Sequence, residues 1–245
     1  MFELSSETKI AELDAENPAM IRVLKSTGMY SEGDDADRTI DNLCLDFGLN
    51  PMIILNMLAR VQAERPPDID ISELEGMTLV QVVEHIESEH HAFLREILPV
   101  TVELVERVAG EYGAGDDRLI ELQALFTKLA DELENHMLHE EEALFPMCRD
   151  MEADDGTIKP TRCGDAVGGP IACMENDHIV AKQALASLRE LTDNFTVPEA
   201  ADEDYREMLE RLSRVDQNTV VHIHKEDQLL FPRALDTQAA LRNGS

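Results

Sequence analysis

Tryptophan is absent from this 245-residue chain, and aromatic residues make up only 4% of it. A sheet-rich core draws on aromatic and β-branched side chains, so helices built from the plentiful Leu, Ala, Glu and Met are favoured instead. Basic residues are scarce: 21 Lys and Arg stand against 51 Asp and Glu, a formal net charge of −30. A field of that sign excludes nucleic acid and anionic membrane surfaces as partners; it attracts cations and also serves solubility. Long apolar runs are missing, so nothing in the chain is expected to span a membrane. The opening Met1-Phe2-Glu3-Leu4-Ser5-Ser6-Glu7 lacks the basic start and apolar stretch of a secretory leader. Cys44, Cys148, Cys163 and Cys173 form neither a Cys-x-x-Cys pair nor a disulfide framework, which fits a reducing cytoplasm. A hydrophobic content of 43% nevertheless suffices for a core.

What the chain does have is a doubled pattern of metal-binding residue types. His136-Met137-Leu138-His139-Glu140 is followed by Leu144-Phe145-Pro146, and 86 residues later His222-Ile223-His224-Lys225-Glu226 is followed by Leu230-Phe231-Pro232. Each copy is preceded by a further histidine in an acidic setting, His91 in Glu89-His90-His91 and His178 in Asp177-His178. Imidazole and carboxylate at i and i+4 project from one helical face, close enough to serve one ion or two adjacent ones. A chain so rich in glutamate yields a His-x-x-x-Glu by chance, and His85/Glu89 is a third example. Chance does not supply the shared Leu-Phe-Pro tail or the upstream histidine at matched distance.

Residues 1–63 read as a small helical domain. Asn17-Pro18 opens one helix that Gly28 would stop, Thr39 caps a second ending near Gly48, and Asn50-Pro51 opens a third. Residues 64–77, with Pro66-Pro67, read as a linker. From Thr78 to about residue 240 the pattern predicts four long antiparallel helices: an all-α up-down bundle whose interior can build a metal site. Leu79, Val82, Val83, Ile86, His90 and Phe93-Leu94 mark the first stripe, with a kink expected at Pro99. Asp116 can cap the second helix, 153–169 reads as a loop, the third helix starts near Pro170, and the fourth follows Val197-Pro198.

Two such halves deliver four imidazoles, His91, His136, His178 and His222, and two carboxylates, Glu140 and Glu226. In that arrangement the carboxylates bridge two metals, the imidazoles cap them, and an oxo or hydroxo group completes the pair. The mixed nitrogen and oxygen set suits iron, with manganese and zinc less well matched. His90 and His224 are expected to face solvent or neighbouring helices, and His139 lies nearer the inward stripe.

These segments resemble the hemerythrin-like cation-binding domain and, more closely, the di-iron family that repairs iron–sulfur clusters after nitric oxide or oxidative damage. His91-Ala92-Phe93-Leu94-Arg95-Glu96-Ile97-Leu98-Pro99 is similar to the family's H-x-x-L-R-E-x-L-P, and His136 to Pro146 to its H-M-x-x-E-E-x-x-L-F-P. Gly169 to His178 resembles G-P-I-x-x-M-x-x-x-H, and the segment from His222 ends in the family's L-F-P-R-A-L. The segment Ile10 to Leu58 resembles its small N-terminal domain, but Tyr30-Ser31-Glu32-Gly33 stands where the family carries Cys-Cys. A further family histidine falls here on Tyr112, which makes a phenolate the expected seventh ligand.

The resemblance implies a cytoplasmic stress-response protein that binds nitric oxide, dioxygen or peroxide at an open iron position and protects or repairs iron–sulfur proteins. A hemerythrin-like gas or iron sensor without turnover is the alternative, and nitric oxide reduction is the chemistry if the protein is an enzyme. Damaged iron–sulfur proteins are the implied macromolecular partners, and a homodimer is compatible with the pattern.

Overall fold

The computed structural model describes residues 4–16, 20–21, 24, 29–30, 36–63, 69–153, 158–159 and 166–243. The chain divides into two compact units, Met1–Pro67 and Asp68–Ser245. Every regular element among the described residues is helical, and the only strand-like pairing there is an isolated bridge between Lys9 and Thr39.

In the first unit, α1 (Ile10–Glu16), α2 (Ile40–Phe47) and α3 (Pro51–Ala63) enclose a core that includes Ile10, Leu13, Leu24, Ile40, Leu43 and Leu58. The expected caps are present. Thr39 accepts a hydrogen bond from the Asn42 amide, and Gly48 closes α2 at φ +64°, a conformation that suits glycine. Asn50 accepts from the Met52 amide at the start of α3. Of the helix expected from Asn17-Pro18 to Gly28 only residues 20–21 and 24 are described, all three helical; its two ends, the residues Ser31 to Gly33 and Pro66-Pro67 fall outside the described residues.

The second unit has four long helices. α4 runs from Leu79–Ile86 through a π turn, Glu87–His91, into Ala92–Tyr112. α5 runs from Asp117–His139 through a π turn, Glu140–Leu144, into Phe145–Met151. α6 is Gly168–Leu191, and α7 runs from Glu203–Lys225 through a third π turn, Glu226–Leu230, into Phe231–Asn243. The α4 helix continues across Pro99; its irregular turn lies eight residues earlier, at Glu87–His91. Thr78 opens α4 with a capping box, and the Glu152 carboxylate accepts from the Leu79 and Val80 amides at 2.6 and 3.0 Å. Those bonds satisfy donors that a helix start leaves over.

The linker expected over 64–77 is shorter than its sequence suggests. Ser72–Leu74 forms a 3₁₀ turn, Leu74 is fully buried, and Arg233 donates to the Met77 and Glu75 carbonyls. Ile71, Leu74 and Met77 have apolar side chains to bury, so this stretch joins the bundle.

Two apolar clusters fill the bundle. One contains Leu94, Val105, Phe126, Leu133, Leu185 and Leu212; the other contains Val82, Ile86, Phe145, Met174, Leu230 and Phe231. Along each helix the histidines and glutamates of the doubled motif fall between these clusters, so the polar centre is sealed at both ends by hydrocarbon. No helix among the described residues is long and apolar enough to cross a membrane.

Candidate metal centre

All six side chains of the doubled motif are buried: His91, Glu140, His222 and Glu226 at 0% exposure, His178 at 2% and His136 at 4%. Their ligating atoms fall into two groups, each within 4.8 Å: His91, Glu140, His222 and Glu226 in one, and His136, His178 and Glu226 in the other. Glu226 belongs to both. Its Oε1 lies 2.9 Å from His222 Nε2, and its Oε2 lies 3.2 Å from His178 Nε2 and 3.9 Å from His136 Nε2. Glu140 turns one oxygen, Oε2, toward His91, His136 and His222 at 3.2, 3.4 and 4.0 Å.

Tautomers follow from the outer partners. His91 Nδ1 lies 2.8 Å from Glu141 Oε1, and His178 Nδ1 lies 2.8 Å from Asp227 Oδ1. A carboxylate only accepts, so each Nδ1 carries the proton and each Nε2 offers its lone pair inward. The two carboxylates are themselves anchored, Glu141 by Arg95 at 2.7 Å and Asp227 by Lys182 at 2.8 Å. Stacked phenyl rings fix the same imidazoles: Phe145 lies 5.5 Å from His91 at 18°, and Phe231 lies 5.4 Å from His178 at 10°. The Leu-Phe-Pro tails thus orient two histidines of the cluster. The π turns make this possible, because a phenylalanine five residues after the glutamate would sit on another face of a regular α-helix.

A cation fits this cluster. Both oxygens of Glu140, Oε2 of Glu226 and Nε2 of His91 are buried without an aligned hydrogen bond among the described residues. Two carboxylates so placed are costly unless a positive charge joins them. His178 Nε2 and His136 Nε2 approach to 3.3 Å, close to the roughly 3.0 Å between nitrogens bound side by side at about 2.1 Å to one ion. Without metal, protons take up the task. Burial opposes charge on His91, His136 and His178, but the surrounding carboxylates outweigh it and hold all three above the ordinary histidine value. For Glu226 burial is outweighed by His222, His136 and His178, which hold it well below the usual carboxylate range. For His222 burial wins, and its pKa is lowered.

Residues 81–234 match the family model described as the hemerythrin HHE cation binding domain. The chain is 33% identical over 185 residues to the iron–sulfur cluster repair protein YtfE of Musicola paradisiaca (strain Ech703), covering 74% of this chain and 76% of that protein. The chain belongs to the hemerythrin-like HHE family, in its iron–sulfur cluster repair branch. Proteins of the same name from Yersinia pseudotuberculosis serotype IB and Yersinia pestis (strain Pestoides F) are each 33% identical over 157 residues. That match covers 64% of this chain and 66% of each of those relatives.

Tyr112 does not join the HHE cluster. It ends α4, where its hydroxyl donates to Asp202 Oδ2 at 2.5 Å and its ring meets Tyr205. Helical rise explains the correction: 21 residues separate Tyr112 from His91, a span of about 30 Å along one helix. His90, expected toward solvent or a neighbouring helix, is 4% exposed; it stacks on His222 at 5.1 Å and 4° and bonds to Asn218 at 3.2 Å. Its face of α4 meets α7, and burial pushes its pKa down to about 3. His139 is exposed and His224 half-buried.

Glu141, Asp227, Arg95, Lys182 and the two phenylalanines are the functional neighbours that the ligand pattern passed over. The doubling itself could have found them. Glu140-Glu141 repeats as Glu226-Asp227, and His91/Arg95 repeats as His178/Lys182, a cation four residues after each upstream histidine.

Proposed function

We propose that His91, His136, His178, His222, Glu140 and Glu226 hold two iron ions, and that the protein acts in repair or protection of iron–sulfur proteins under nitrosative or oxidative stress in the cytoplasm. The observation that carries this reading is the convergence of four Nε2 atoms and two buried carboxylates into two groups sharing Glu226. Two ions within reach of one carboxylate call for a bridge, and an oxo or hydroxo group would complete it. The named function of the relatives and the HHE match support the repair role. When bound, the iron pair supplies a redox couple and a coordination position for nitric oxide, dioxygen or peroxide. The chain's own part is to fix the donors: Glu141 and Asp227 hold Nδ1 protons outward, Phe145 and Phe231 prevent ring rotation, and the two apolar clusters exclude bulk water.

Metal analysis of protein purified without added metal tests this. Two irons per chain are expected, with a stoichiometric spectral change when nitric oxide meets the reduced protein. Zinc alone, or no metal, overturns the reading.

The absent cysteine pair at Ser31-Glu32 favours a second reading, a gas or iron sensor without turnover. Reversible nitric oxide binding with no product, and no recovery of a nitrosylated iron–sulfur protein, would decide for it.

A further inference from the structure

The doubling is imperfect around the two motif histidines, and the differences compensate. In the first half, His136 Nδ1 faces the Asp177 carboxylate at 3.7 Å, and Leu133 stands one turn before His136 on α5. In the second half, His90 takes the register position of Asp177, and Thr219 takes that of Leu133. The His90 ring lies flat on His222, 5.1 Å away at 4°. An imidazole donates and accepts in its own plane, so a ring stacked face to face gives His222 Nδ1 no partner. The second half has lost a carboxylate and gained a hydroxyl.

That hydroxyl avoids its ordinary acceptor. Thr101 and Thr192, both buried, donate to the carbonyls four residues earlier, Ile97 and Leu188, at 2.7 Å each. Thr219 is 0% exposed, and its Oγ1 makes no aligned hydrogen bond among the described residues, to the Val215 carbonyl or elsewhere. Its place three residues before His222 puts both side chains on one side of α7. His222 Nδ1 is likewise buried without an aligned hydrogen bond. Asn218 turns its NH₂ to the Glu89 carbonyl at 3.5 Å, so its Oδ1 accepts from His90 Nδ1 at 3.2 Å. His90 Nε2 is then an acceptor, and it too is buried without an aligned hydrogen bond.

Three polar atoms with no protein partner therefore share one seam between α4 and α7. A buried water requires two to four such partners. Threonine is also smaller than the leucine of the other half, which leaves room beside His222. Water and hydroxyl both give and accept, so they match His222 Nδ1 and His90 Nε2 alike.

We propose that this seam is a binding site for one ordered water, held by Thr219 Oγ1, His222 Nδ1 and His90 Nε2, and that Thr219 is the positioning residue for His222. The four imidazoles of the cluster are then unequal. His91 and His178 lean on the carboxylates of Glu141 and Asp227, and His136 faces Asp177, whereas His222 leans on a neutral pair. A carboxylate partner raises the basicity of an imidazole, so His222 is the weakest donor of the four.

A crystal structure of the metal-free, full-length protein, at a resolution that shows ordered solvent, tests the site without any variant. Density for a water within hydrogen-bonding distance of Thr219 Oγ1 and His222 Nδ1 is expected; a well-ordered seam with no solvent between them overturns the proposal. Thr219→Val keeps the shape and removes the hydroxyl. A hydroxyl that held nothing would be relieved by valine, and the metal-free Tm would rise, which overturns the proposal. Loss of the water instead strands His222 Nδ1, so a fall of about 2–4 °C is expected. In iron-loaded protein, Thr219→Val should weaken one of two irons about tenfold in chelator competition, and Thr219→Ser should restore it to within about threefold of wild type. Both irons held by Thr219→Val at wild-type affinity overturns the positioning role. If Thr219→Val does not fold, the wild-type density decides. A chain that holds no iron refutes the functional reading alone, because density and melts are read on metal-free protein.

Discussion

At the scale of single residues, the cluster of six depends on side chains outside it. Asp227 shows how. Burial acts to raise its pKa, yet the His178 hydrogen bond and Lys182 outweigh it and hold the carboxyl at about 2. The carboxylate is therefore ionised throughout the working range and keeps the proton on His178 Nδ1. Asp227→Asn preserves the shape but lets the amide present its NH₂ to the ring, so the tautomer is no longer fixed. Iron affinity should fall by about 10- to 100-fold, measured by competition with a chromogenic chelator; unchanged affinity would remove Asp227 from the account. Thiols give a contrasting case. Burial, with Glu140 nearby, pushes Cys148 up to about 12, and burial with Asp41 raises Cys44. Cys173 is exposed. Thiolate is the reactive form, so among these three only Cys173 should label rapidly with iodoacetamide in the native protein between pH 7 and 9. Mapping by mass spectrometry checks it, and rapid modification of native Cys148 would contradict the buried placement.

Helices carry the next level of organisation, and their π turns set what each one presents. The turn Glu140–Leu144 holds one residue more than an α turn, and that extra residue keeps Phe145 on the same face as Glu140. Deleting the exposed Glu142 should therefore convert the turn to α-helix and leave everything beyond it in register. Deleting the exposed Asp131, in the regular part of the same helix, rotates His136 and Glu140 by about 100° relative to the preceding core face. The first deletion should retain a cooperative melt near that of wild type; the second should lose iron and most thermal stability. Calorimetry with iron analysis separates them, and equal damage from both would show that the π turn is not a simple insertion. The same turns explain what sequence could and could not reveal. His136/Glu140 and His222/Glu226 were legible because i,i+4 spacing survives in ordinary helix up to the glutamate. Phe145 and Phe231 were not, because a five-residue step looks wrong for one helical face until the turn is known to be π. Tyr112 misled for another reason: matching by chain offset ignores that 21 residues of helix carry a side chain about 30 Å away. His90 faces a neighbouring helix, one of the two surroundings expected for it, because the face about 100° from the inward stripe is, in a bundle, a helix–helix interface.

For the molecule as a whole, the buried cluster ties stability to metal and pH together. In metal-free protein, His91, His136 and His178 have pKa values above the ordinary histidine value, because the surrounding carboxylates outweigh the burial that opposes charging. The folded state then binds more protons than the unfolded chain at any pH between about 6.5 and the raised values. Their contribution is fully present below about pH 6.5 and is lost as pH rises through the folded pKa. His90 and His222 are lowered mainly by burial, so they act in the opposite sense between about pH 6.5 and 7.5, while the unfolded chain still holds part of its histidine protons, but they are two against three. Lys225, lowered by burial, acts in the opposite sense but nearer its ordinary alkaline range. Stability of the metal-free protein should therefore decline from pH 6.5 to 8. Iron reverses the sign, since it takes the place of those protons and binds more tightly as they leave. A ligand at a thousand times its Kd stabilises by about 4 kcal/mol, so the difference in Tm between loaded and chelator-stripped protein should widen from pH 6.5 to 8. Thermal melts of both forms at the two pH values measure it directly. A metal-free Tm that climbs over this interval would mean that the imidazoles are not held charged by Glu140, Glu141, Glu226 and Asp227, and that the six side chains do not face one another in solution as they do in the structure.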